Sequence, residues 1–366
     1  MKKFLSLLLI LFFPIFLIAQ ISNEIATDTI NRTSHFSAIS DTIHNYNVFA
    51  NDIPLDITLR YDITSFIRNK NKGEYIDAVM EIHYGNNQVQ TKNIRLKARG
   101  NFRRGHCMFP PIRLNFKTDP IENKVLKGAN KIKLVTHCST TKEYEKYILK
   151  EYLAYKLYNV LTDKSFKVKL LNITYIDTGK KKKNYQQYGF LIEPVELLAT
   201  RNTSIEVEPT IIRKENVLEV DADRVALFQY MIANTDWRIK AGHNTKFLKS
   251  LTEVTNQVVS VPYDFDFSGF VETRYSYPQS WTSIKEITDR EYLGYCRDND
   301  QAYLDNIKRF EEKKDEILKT IEEFSYLDER ERKYLKNYIG RFFTEIKRPE
   351  NFLVTLKSEC RSRVDF

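Results

Sequence analysis

The run Ala78-Val79-Met80-Glu81-Ile82-His83-Tyr84-Gly85-Asn86-Asn87, answered by Ile94-Arg95-Leu96-Lys97-Ala98, sets the character of the first half of the chain. Ala78, Met80, Ile82 and Tyr84 recur at every second position, the period of a half-buried strand whose side chains point alternately to two faces. Gly85-Asn86-Asn87 supplies a turn and Ile94, Leu96 and Ala98 return, which makes a hairpin. Upstream, order begins near Pro54, and Leu55, Ile57, Leu59, Tyr61 and Ile63 show the same period. Downstream, Ile112, Leu114 and Phe116, then Ile132 and Leu134, mark shorter strands.

The period then changes. Leu149, Leu153 and Leu157 recur at four-residue spacing within Glu143 to Leu161, with no Gly or Pro, and predict a helix. Leu171, Ile173 and Tyr175 return to strand, and the turn Gly179-Lys180-Lys181-Lys182-Lys183 leads into the run Tyr188 to Ile192. We read the lysines as an exposed hairpin tip. From Asp221 onwards the chain is helical, first over Val225 to Ala233 and then in charged amphipathic stretches through Asn306 to Ile346. Strands first and helices later predict an α+β protein of two unequal lobes, a strand-rich part over 53–193 and a helical part over 194–366. The 366 residues exceed the usual single-domain size, and 23 Phe and 22 Tyr provide ample core.

The ends of the chain speak of compartment. Met1-Lys2-Lys3 precedes an uncharged apolar stretch from Phe4 to Ala19, broken at Pro14 and followed by Gln20-Ile21-Ser22. Residues 1–20 read as a signal peptide, since a spanning helix needs about 20 apolar residues. Residues 21–52, rich in Ser, Thr and Asn, suit a linker or arm. The expected location is outside the cytoplasm: periplasmic, cell-surface or secreted. Removing Lys2 and Lys3 lowers the formal charge from +9 to +7. Such a surface fits an anionic partner, a nucleotide or phosphorylated substrate, or peripheral contact with a membrane. Nucleic acid is disfavoured, because the basic residues are scattered instead of interleaved with aromatics along one segment. Cys107, Cys138, Cys296 and Cys360 permit two disulfides in three connectivities, with Cys107–Cys138 the favoured pair. A Cys2His2 zinc site through His106 and His137 is the competing reading, without the clustered ligand spacing of such sites.

Two segments concentrate residues that a core does not need. Asn234-Thr235-Asp236-Trp237-Arg238-Ile239-Lys240-Ala241-Gly242-His243-Asn244 follows an apolar helix, and Val259-Ser260-Val261-Pro262-Tyr263-Asp264-Phe265-Asp266-Phe267-Ser268-Gly269 is a strand ending in two carboxylates. An Asp in a post-helix loop, an Asn soon after, and an Asp closing the next hairpin can supply a base and hard oxygen ligands for Mg2+. As strand ends and turns, the same residues also have a purely structural use.

Together with Lys97-Ala98-Arg99-Gly100-Asn101, Ile112-Arg113-Leu114-Asn115-Phe116, Lys131-Ile132-Lys133-Leu134 and Tyr188-Gly189-Phe190-Leu191-Ile192-Glu193, these segments resemble the spore-coat protein H (CotH) kinase family over roughly residues 95–270. The resemblance implies a two-lobed protein-kinase-like fold and transfer of phosphate from ATP, with Mg2+, to a hydroxyl on a protein or cell-envelope acceptor. It also implies roles. Asp236 would be the catalytic base, Asn244 and Asp264 metal ligands, and Asp266 a second metal Asp. Glu151 would pair with a phosphate-holding cation, Lys133 or its rival Arg113, and Glu193 would lie at the hinge. In place of a glycine-rich loop, Arg99 to Arg104 would cover the phosphates. Asn244 lies eight residues after Asp236, where protein kinases use five, and Phe109-Pro110-Pro111 stands where the family carries a lysine-rich strand. Transfer of AMP in the same cleft, or a non-catalytic envelope binding module, are the alternatives.

Overall fold

The computed structural model describes residues 48–49, 52–84, 88–120, 130–208 and 212–360. The signal peptide, almost all of the arm and the turn at 85–87 lie outside the described residues. Seven strands form a closed barrel: β1 (Leu55–Tyr61), β2 (Ile76–Tyr84), β3 (Gln88–Ala98), β4 (Ile112–Asn115), β5 (Lys131–Val135), β6 (Val168–Asp177) and β7 (Asn184–Ile192), in the order β1-β2-β3-β4-β5-β7-β6. The alternation read from the sequence decides which side chains fill it. Ile57, Leu59, Met80, Ile82, Leu96, Ile112, Leu114, Ile132 and Leu134 point inward and are essentially inaccessible. On β6 and β7 both faces are covered: Leu171, Ile173 and Leu191 join the barrel interior, whereas Leu170, Phe190 and Ile192 join a second core outside it. Gly189 sits where strands and side chains crowd, since a Cβ there would come within 2.7 Å of Ile173 Cδ1 and 2.9 Å of the Val135 carbonyl oxygen.

The helices are α1 (Ile63–Asn69), α2 (Phe102–His106), α3 (Lys142–Leu161), α4 (Val195–Arg201), α5 (Glu219–Met231), α6 (Asp300–Glu312), α7 (Lys314–Glu322), α8 (Glu329–Ile346) and α9 (Pro349–Glu359). A three-stranded antiparallel sheet, β8 (Ser204–Val207), β9 (Thr245–Ser250) and β10 (Val259–Pro262), has the order β10-β9-β8. Helix α3 lies against β6, β7 and α7. Its buried Lys150 pairs with Glu331 of α8 at 3.1 Å. Among the described residues no helix is long and apolar enough to cross a membrane.

This architecture corrects the expected two-lobed, protein-kinase-like α+β arrangement. Strand β1 runs parallel to β6, pairing Leu55 with Leu171 and Asp56 with Asn172 across 116 residues of sequence, and so closes the sheet on itself. Helix α3 shares one apolar core with the barrel wall and with α5 to α9. A closed mixed barrel with helices packed on its wall is what forms, in place of a separate strand-rich and helical lobe. Two disulfides staple it: Cys107–Cys138, Cα atoms 4.6 Å apart, and Cys296–Cys360 at 4.9 Å. Cys107 and Cys138 are thus bonded to each other, which removes the Cys2His2 zinc reading.

Candidate functional site

Antiparallel pairing of β9 and β10 does most of the positioning. Thr245 faces Pro262, and one step beyond, the Tyr263 amide donates to the Asn244 carbonyl at 3.0 Å. Asn244 and Asp264 are thereby brought to the same end of one hairpin. Both have left-handed backbones, with φ of 51° and 69°, a conformation that side-chain-bearing residues adopt at a cost. The Asp264 amide donates to the Tyr155 hydroxyl at 2.9 Å, which joins this turn to α3.

Asp236 comes from the other side. Helix α5 ends at Met231, Ala233 turns left-handed with φ of 49°, and the Gly269 and Phe270 amides donate to the Ala233 and Ile232 carbonyls. The loop then folds so that the Asp236 carboxylate is shared. Its Oδ1 lies 2.9 Å from His243 Nε2, and its Oδ2 accepts from Asn244 Nδ2 at 3.1 Å. Asn244 Nδ2 also donates to the Asp236 carbonyl at 2.7 Å, and among the described residues the amide oxygen of Asn244 has no hydrogen-bond partner. His243 is half-exposed and is held above the ordinary histidine value, first by its hydrogen bond to Asp236 and then by the charges of Asp236 and Asp264.

Behind Asp264 lies a buried charge cluster. Arg103 of α2 puts Nη1 3.6 Å from Glu151 Oε2 and Nε 3.9 Å from Asp266 Oδ2, and donates through Nη2 to the Thr136 carbonyl. Tyr275 donates its hydroxyl to Asp266 Oδ2 at 3.0 Å. Burial raises Glu151 well above the carboxylate range, with the Asp266 charge next in size. Burial and the Asp264 charge push Asp266 up to about 7. Burial works against the Arg103 charge, but Tyr275, Asp266 and Glu151 outweigh it and hold the guanidinium above its ordinary value. The cation beside Glu151 is therefore Arg103, not Lys133 or Arg113. Sequence reading placed Arg103 over phosphates; its spacing to Cys107 was the available signal, because the Cys107–Cys138 bond fixes α2 next to Thr136.

The barrel contributes cations. Arg99 is half-enclosed beside Asp264, its buried Nε has no hydrogen-bond partner among the described residues, and burial lowers its pKa. Lys133 is drawn down to about 8, first by burial and then by Arg99 and Lys246. Its ammonium sits 4.9 Å over the Tyr263 ring. Arg113 is exposed and faces both Lys97 and Lys133 across neighbouring strands. Glu193 stands apart in its bonding: both carboxylate oxygens accept from Arg201 at 3.0 Å, and the Lys167 amide donates to it as well. Among the described residues no group of three His, Cys, Asp or Glu side chains is gathered to hold a metal. Two cavities of about 610 and 530 Å3, one between α3 and α7 and one on the β1–β3 wall, are lined by other residues.

No protein-family model and no curated protein matches this chain, so the family resemblance read from the segments finds no support there. Among solved structures, the chain is similar to a crystal structure of the Helicobacter pylori proinflammatory kinase CtkA, at 12% identity and a TM-score of 0.39 over 72% of this chain and 94% of that one.

Proposed function

We propose that this chain is an exported phosphotransferase that moves a phosphoryl group from ATP to a hydroxyl on a protein or cell-envelope acceptor. The observation that carries the reading is the meeting of Asp236, Asn244 and Asp264 at one hairpin end, ringed by Arg99, Lys133 and the Arg103–Glu151–Asp266 cluster. The donor set suits Mg2+, which is commonly held by one or two carboxylates together with substrate phosphates and waters, not by a full protein cage. Asp264, the amide oxygen of Asn244 and, on ionisation, Asp266 would hold it, and the metal would supply charge neutralisation at the phosphates. The Nη end of the Arg99 guanidinium, which is not among the enclosed partnerless atoms, and the half-buried ammonium of Lys133 offer donors to phosphate oxygens. Arg103 keeps Glu151 and Asp266 in place instead of touching the nucleotide. Asp236 would receive the proton of the acceptor hydroxyl through a carboxylate oriented by His243 and Asn244. Two disulfides are consistent with work outside the cytoplasm.

The test separates the two carboxylates. Asp264→Ala should weaken Mg-nucleotide binding, read by nucleotide-dependent thermal stabilisation with and without Mg2+. Asp236→Ala should leave that binding nearly intact and lower radiolabel transfer by about 100- to 10,000-fold, the range for loss of a general base. Wild-type protein without any Mg-dependent nucleotide binding would sink the enzyme reading and leave a non-catalytic envelope binding module in its place.

A further inference from the structure

Arg238 lies two residues after Asp236 and pairs main chain to main chain with His243, its amide donating to the His243 carbonyl at 3.0 Å and its carbonyl accepting from the His243 amide at 2.9 Å. Its guanidinium sits 3.9 Å over the ring of Trp281, and Trp281 is itself fixed by an indole N–H bond to the Thr235 carbonyl at 3.3 Å. The Arg238 Nε is buried without a hydrogen-bond partner, and among the described residues the side chain makes neither a hydrogen bond nor an ion pair. That Nε is enclosed, so the donors a ligand could reach are those of the Nη end, which is not among the enclosed partnerless atoms. Stacking on an aromatic face holds a guanidinium rigid while leaving its edge donors free, and that edge matches the two oxygens of a carboxylate. The cations grouped around Lys133 and Asp264 are Arg99, Lys246 and Arg113, on the barrel side, whereas the Arg238 charge acts on His243 beside Asp236.

Resting on the phosphotransferase reading, we infer that Arg238, seated on Trp281, binds a carboxylate of an acidic peptide acceptor next to the hydroxyl received by Asp236. The acceptor class is then an acidic protein segment. The test is a tryptophan-fluorescence titration of the full chain at low salt with two blocked peptides, a serine flanked by glutamates and its glutamine counterpart. The acidic peptide should bind at least about tenfold tighter, a preference that one charge-assisted bidentate contact can supply. Arg238→Gln should abolish the preference, and Arg238→Lys should retain part of it, because the charge remains while the fork is lost. Equal binding of the two peptides, no binding of the acidic one at millimolar concentration, or a preference that survives in Arg238→Gln would overturn the inference. A parallel titration with a non-hydrolysable Mg-ATP analogue decides between acceptor and nucleotide. If Arg238→Gln weakens that binding instead, the guanidinium belongs to the nucleotide and the acceptor assignment fails. Wild-type protein that ignores the analogue removes the phosphotransferase reading, while the peptide arm still decides whether Arg238 reads acidity.

Discussion

The barrel and the segment from Ala233 to Tyr275 treat polar groups in opposite ways. In the barrel, Leu59, Met80, Ile82, Leu96 and Leu114 fill the interior, and charges such as the Arg60–Glu81 pair stay on the outside. In the segment, Asp266 is enclosed with Arg103 and Glu151, and four of the six left-handed non-glycine residues described in the chain lie there: Ala233, Asn244, Asp264 and Glu272. Regular pairing and apolar burial stabilise the first region. The second holds conformations and charges that folding alone would avoid, a pattern expected where side chains are kept in place for chemistry.

The strongest way to break this contrast is to truncate one residue in each region. Leu96→Ala should cost about 2–5 kcal/mol through lost burial and a cavity, and no second substitution in the charge cluster should recover it. Arg103→Ala should cost about 3–5 kcal/mol, because it strands two buried carboxylates. Unlike the barrel variant, it should be partly rescued by Asp266→Asn, a non-additivity that denaturant titration of the single and double variants would reveal. Additive losses would mean that Arg103 acts by packing alone.

A smaller effect comes from pH. Asp266 titrates near 7 in the folded chain and has an ordinary value of 3.8, so its folded pKa is raised. A raised group contributes stability that is fully present below the unfolded pKa and is lost as pH rises through the folded one. Metal-free protein should therefore lose stability relative to Asp266→Asn between about pH 5 and about pH 8, by an amount on the order of 3 kcal/mol. Glu151 is raised as well and acts in the same direction. Thermal melts of the two proteins across that range check the sign, and a difference that is flat or reversed would place Asp266 outside the buried cluster.

Much of this was legible in local patterns. The period of two gave the hairpin and β1, although it ran on to Ile63, which instead opens α1 behind the Asp62 cap; Leu149, Leu153 and Leu157 gave α3, and the two early cysteines gave their bond. The grouping of Asp236 with Asn244 followed from a short loop. Barrel closure was not legible, because the parallel β1–β6 pairing joins residues 116 apart and leaves no trace in either strand's own period. Arg103 was misplaced for a related reason. In sequence it belongs to an arginine-rich stretch that looks exposed, and only the contacts of α2 with Thr136, Glu151 and Asp266 bury it. Arg238 escaped notice because Trp281, which gives it direction, comes 43 positions later in the numbering.

The finest comparison uses one substitution at two places. Lys182 at the tip of the β6–β7 hairpin and Ala233 below Asp236 both have left-handed backbones, with φ of 47° and 49°. Replacing a side-chain-bearing residue by glycine at positive φ removes backbone strain, and Lys182→Gly should stabilise by about 0.5–1 kcal/mol, because its exposed side chain gives up no burial. Ala233 is 1% exposed, so Ala233→Gly gains the same relief but forfeits a buried methyl group, worth about 0.8 kcal/mol. The two effects should nearly cancel and leave the melting temperature unchanged. The pair of melts thus separates strain, common to both positions, from burial, which only the site-bearing turn possesses. Equal stabilisation in both variants would show that the methyl group of Ala233 contributes nothing. A marked loss in Ala233→Gly would show instead that the turn beneath Asp236 is held by packing, not strained against it.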